Sequence, residues 1–147
     1  MHAVVERLRR DLPATFAELE RPFGVGVVEG GRARLVTHGG LPEAVAASCA
    51  IPYLFAPIVM DGVPRSDGGL LDRTALDSWK GFRPSNHVAL HLVDRSSGAS
   101  DTPDLTGLTV VRSPRSGARF WNLGDTRSQF DASSQRAVAA LRPHFAG

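Results

Sequence analysis

The chain has 147 residues, 42% of them hydrophobic, which is one domain's worth of ordinary globular composition with enough apolar mass for a core. A net charge of +2, with Lys80 the single lysine among 17 basic residues spread along the chain, excludes a strongly basic nucleic-acid binder and leaves at most a peripheral attraction to anionic lipid heads. No apolar run approaches the roughly 18 residues of a membrane span and the N-terminus lacks a secretory core; the lone Cys49 forms no internal disulfide and fits a reducing, cytoplasmic setting.

Residues 1–10 place Val4, Val5 and Leu8 at helical spacing among charged neighbours, which predicts a short amphipathic helix. Pro13 punctuates it. Thr15 and Glu18 have the spacing of a capping box for a short turn ending near Leu19. Residues 23–28 and 33–37 are Val-rich and extended, joined by Glu29-Gly30-Gly31-Arg32, and should pair antiparallel through that turn. His38-Gly39-Gly40 breaks the pattern. The Ala-rich residues 41–49 predict a helix with Pro42 in its first turn, stopping before Pro52. Cys49, in that small-residue segment, reads as a buried spectator.

Tyr53-Leu54-Phe55 reads as plain core. Ile58-Val59-Met60 and the residues after Asp61-Gly62 form a second hairpin, with that pair as its two-residue turn. Residues 74–79 read as a short helix and 87–93 as a buried strand, in which His87 and His91 share one face. Residues 94–106 are rich in Ser, Gly, Asp, Thr and Pro and read as a loop. Residues 108–111 are a last strand. In 125–142, Phe130, Ala137, Val138 and Leu141 fall on one side, so the closing helix should pack on a sheet and end before Pro143. The interleaving implies an α/β architecture with a mixed sheet flanked by helices, and no internal domain boundary is evident.

One motif stands apart. Asp67-Gly68-Gly69 follows a strand and comes just before residues 70–76, which begin to look helical, so its carboxylate can sit exposed in a cleft while another backbone or a ligand comes close to the glycines. A simpler reading remains beside that one: Asp67 caps the next segment and the glycines are loop.

Gly40-Leu41-Pro42-Glu43-Ala44, Ala47-Ser48-Cys49-Ala50-Ile51-Pro52, Phe55-Ala56-Pro57, Asp61-Gly62 and Asp67-Gly68-Gly69-Leu70, in that order, resemble the second half of a patatin-like phospholipase domain. The resemblance covers residues 12–95 and the tail more loosely. It implies a patatin-type variant of the α/β hydrolase theme, incomplete here. It also implies lipid acyl ester hydrolysis through a Ser-Asp dyad, with Asp67 as the base and Gly68 and Gly69 supporting its loop. Pro52, Phe55 and Pro57 would lie on the acyl-chain side, the resemblance giving Tyr53-Leu54-Phe55 as part of that wall rather than plain core, and no cofactor or metal is called for.

The family's other half, with its glycine-rich oxyanion loop and Gly-x-Ser-x-Gly nucleophile elbow, has no counterpart in these residues. Ser48 lies in Ala-Ala-Ser-Cys-Ala, and Ser97, Ser100 and Ser116 lie in loop-like runs. Acyl transfer needs nucleophile, base and oxyanion donors together. The expectation is therefore a truncated product, a mis-assigned start or one piece of a split enzyme, with an upstream polypeptide supplying serine and central strands. The alternative is a non-catalytic remnant, or a lipid-binding or interaction subunit. The histidines, His2, His38, His87, His91 and His144, form no triad or metal-ligand spacing.

Overall fold

The computed structural model describes residues 1–85, 87–93, 104–113 and 124–145. These residues form an α/β fold in two compact units, one of residues 1–84 and one of the described residues from 85 onward. The expected loop over 94–106 lies outside the described residues as far as 103, as do Ser97, Ser100 and Ser116.

In the first unit, helix α1 (His2–Asp11) is followed by a single 3₁₀ turn at Phe16–Glu18. The Thr15/Glu18 pair closes that turn from one side only. Glu18 reaches back to the Ala14 N–H (3.4 Å) and the Thr15 hydroxyl (2.9 Å), and Thr15 caps nothing itself. Strands β1 (Val25–Glu29) and β2 (Arg32–Val36) pair antiparallel through Gly30 and Gly31, both at positive φ. Helix α2 (Leu41–Ser48) starts with Pro42 in its first turn and ends well short of Pro52. Strands β3 (Ile58–Met60) and β4 (Val63–Asp67) form the second hairpin. Its turn residues Asp61 (φ 52) and Gly62 (φ 77) take the left-handed conformation that a two-residue hairpin needs.

The β1 and β4 strands also pair, giving one antiparallel sheet of order β2-β1-β4-β3. Alternation sends Val25 and Val27 to one face, where α2 covers them with Leu41, Ala44 and Ala47; Phe16, Val36 and Met60 complete the core. Val27 is wholly inaccessible. Small alanines on α2 let the helix lie close to the sheet. Arg9 of α1 fastens that helix to α2, donating to Glu43 from Nε (2.9 Å) and Nη2 (2.7 Å). Helix α3 (Leu76–Phe82) follows β4 after a turn, two residues later than periodicity predicts because residues 72–75 are consumed by that turn.

In the second unit, strands β5 (Ala89–Val93) and β6 (Thr109–Ser113) pair parallel, and helix α4 (Thr126–Phe145) packs on β6. The antiparallel and parallel pairings thus occupy separate sheets rather than one mixed sheet. The α4 helix runs past Pro143 instead of stopping before it. A proline in the last turn forfeits only its own hydrogen bond, a smaller loss than in mid-helix. Its apolar residues also divide. Phe130, Ala137 and Leu141 line a groove of about 400 Å³ with Ala89, His91 and Val111, whereas Val138 lies outside that groove; Phe130 and Val138 are both exposed.

Candidate functional site

Asp67 is the last residue of β4, where the strand gives way to a 3₁₀ turn, Gly68–Leu70. Its register partner is Val27, and directly opposed residues share a face of the sheet, so its side chain emerges at the rim of the face that α2 covers. The Asp67 N–H donates to the Ala50 carbonyl just beyond α2 (3.0 Å). Its Oδ1 accepts from the Gly69 N–H (2.8 Å), which makes Asp67 the cap of the 3₁₀ turn. Among the described residues nothing donates to Oδ2, and the side chain is half-buried. The capping reading of this residue is the one seen: Oδ1 caps the turn, and Oδ2 takes no donor among the described residues.

The glycines divide the work. A Cβ on Gly68 would overlap the carbonyl carbon and oxygen of Gly26 and lie 2.7 Å from the Val27 nitrogen, so the backbone just past β4 lies too close to β1 for any side chain. Gly69 presents its N–H to the carboxylate. The turn is closed by the Leu71 and Asp72 N–H groups, both donating to the Gly68 carbonyl (3.1 and 2.9 Å).

Beside this carboxylate the chain is uncharged from Ala44 through Met60. Tyr53-Leu54-Phe55, expected in the core, is exposed, as is Ile51, because the turn over 51–55 carries these side chains outward. Leu54 and Phe55 donate their N–H groups to the Ile51 carbonyl, and Tyr53 takes φ 70, a conformation L-residues rarely adopt. Pro52 is half-buried and Pro57 exposed. On the other side of Asp67, Leu70 and Leu71 are exposed as well. Exposed apolar side chains thus follow Ala50, whose carbonyl takes the Asp67 N–H, and follow the Asp67-Gly68-Gly69 turn at Leu70 and Leu71. Cys49 is exposed rather than buried, since it terminates α2 at the helix's open end.

No serine or threonine hydroxyl among the described residues hydrogen-bonds to Asp67. The histidines stay apart from it in the hydrogen-bond network. His91 Nε2 meets the buried Ser113 hydroxyl (2.5 Å), while His87 lies ahead of β5 instead of sharing its face and has its ring against His144. Sequence reasoning missed Asp72, whose Oδ1 accepts from the Thr74 N–H (3.0 Å) and hydroxyl (3.3 Å) and the Ala75 N–H (2.8 Å). The spacing Asp-x-Thr was the available signal, because an aspartate that bonds the backbone two residues on is a common turn device.

No family model matches the chain. Over 123 residues it is 29% identical to proteins of Mycobacterium bovis and Mycobacterium tuberculosis described as uncharacterized NTE family proteins, covering 81% of this chain and 34% of each relative. The chain therefore spans about a third of the length of the curated relatives it matches.

Proposed function

We propose that this chain is the aspartate-bearing portion of a patatin-like lipid acyl hydrolase, with Asp67 the base of a Ser-Asp dyad. The observation that carries the reading is the state of the Asp67 carboxylate: one oxygen is fixed by the Gly69 N–H, and the other takes no donor among the described residues. The similarity to NTE family proteins supports it at a coarse level, the NTE domain being of the patatin-like phospholipase type.

The chemistry follows from the open oxygen. Oδ2 would accept the proton of a serine hydroxyl supplied by polypeptide outside these residues. The serine oxygen would attack the ester carbonyl, and the tetrahedral intermediate would collapse with the proton passing to the departing alcohol. Water would then cleave the acyl-enzyme, with Asp67 taking the water's proton and returning it to the serine oxygen as the carboxylic acid departs. Because Asp67 is tied at Oδ1, it loses little freedom when Oδ2 is engaged. Pro52, Phe55 and Pro57, with Ile51 and Leu54 beside them, would lie along the acyl chain. Contact with membranes would be peripheral, and the setting cytoplasmic.

In a polypeptide that joins these residues to the serine-bearing segment, Asp67→Asn is expected to lower lipid ester hydrolysis by at least about a hundredfold while leaving the fold intact. A fluorophosphonate probe should label the parent and not the variant. Full hydrolysis by Asp67→Asn would overturn the assignment. A second reading, a non-catalytic lipid-binding or interaction subunit, draws on the absence of Gly-x-Ser-x-Gly from the 147 residues. Ester turnover by the purified chain alone would count against it.

A further inference from the structure

We propose that Asp72 is a positioning residue for Asp67, clamping the loop after β4 at two points on one residue of β1, Gly26. The first point is Gly68, whose main chain lies directly against the Gly26 carbonyl. The second is Ala75, whose methyl is the nearest atom to a Cβ built on Gly26, at 3.5 Å. Asp72 connects the two. Its N–H donates to the Gly68 carbonyl (2.9 Å), and its Oδ1 accepts from the Ala75 N–H (2.8 Å) and from Thr74.

Ala75 needs such a hold. It sits in the left-handed region (φ 49, ψ 25), where an L-residue is strained, and it is the residue from which α3 departs. The Trp79 N–H donates to its carbonyl (2.8 Å), so relaxation of Ala75 also disturbs the first turn of α3 and the buried Leu76. Without the Asp72 carboxylate, residues 72–75 leave their places and the Gly68 carbonyl loses its nearer donor. The Gly69 N–H then swings away from Asp67 Oδ1. The aim of the open Oδ2 is therefore set by a carboxylate five positions downstream that never touches it.

The consequence for hydrolysis rests on the dyad reading; the clamp itself does not, and the test separates them. Hydrogen exchange of the Gly69 amide in the labelled 147-residue chain is the direct readout. Asp72→Ala is expected to accelerate it about tenfold or more while β1 and β2 amides keep their protection. Asp72→Asn, which keeps an acceptor oxygen, should stay within about twofold of the parent, since one neutral acceptor replaces a charged one. Adding Ala75→Gly to Asp72→Ala should restore most of the protection, because glycine takes the left-handed conformation without strain. A purely structural loss at position 72 would not be rescued in that way.

Unchanged Gly69 exchange in Asp72→Ala overturns the clamp, and so does uniform acceleration across β1 and β2. In the serine-bearing polypeptide, Asp72→Ala should lower kcat with KM within about twofold, as expected for a lost transition-state arrangement. A lowered kcat with Gly69 exchange unchanged also overturns the clamp. Full activity of Asp67→Asn sinks the dyad and leaves the clamp standing.

Discussion

Gly68 and Gly69 are neighbours with unequal tolerance for a side chain, and what each faces sets the difference. A methyl at 68 runs into main-chain atoms of Gly26 and Val27, which cannot yield without shearing β4 from β1; a methyl at 69 meets only Asp67 Oδ1, at 3.1 Å. Gly68→Ala is expected to cost about 2–3 kcal/mol and Gly69→Ala below about 1 kcal/mol, read from urea midpoints at constant slope. The doublet was legible in the sequence as a place where backbones come close, whereas its partner Gly26 was not, because that pairing is distant along the chain. Tyr53, Leu54 and Phe55 teach the converse. Hydrophobicity says what a side chain tolerates, but burial depends on whether another layer covers it, and no local pattern encodes that layer.

At the scale of elements, both hairpins were readable because their turns demand positive φ and supply glycine for it. The α2 helix was readable from its alanines and its early proline. Helix ends were less so: the Asp72 turn takes Thr74 and Ala75 away from α3, and the last turn of α4 absorbs Pro143. The start of α4 carries a pH dependence. Asp125, just ahead of it, is held below its ordinary value of 3.8, chiefly because the Ser128 N–H donates to its Oδ1 (3.0 Å). A lowered folded value means this contribution is present above pH 3.8 and is lost as pH falls through the still lower folded value. The protection of the Ser128 amide relative to a free amide should therefore fall on acidification through that window, and Asp125→Asn should remove that loss of protection. Equal acid sensitivity in Asp125→Asn would assign the effect to another group.

For the molecule as a whole, the interleaving of strands and helices was enough to predict an α/β architecture. The division of strands between two sheets was not, since alternation marks a strand without naming its partner. The core of the first unit draws nothing from Tyr53 or Leu54. Changing both to serine is accordingly expected to leave unfolding free energy within about 1 kcal/mol of the parent while reducing binding of a hydrophobic dye. A large loss of stability in that variant would place the two side chains in the core after all. Tyr53 is the one tyrosine of the chain and is fully open to solvent. Its phenol is a native chemical reporter: nitration at this single ring, weighed by mass spectrometry, would record when a micelle, bilayer or protein comes to rest on the turn over residues 51–55.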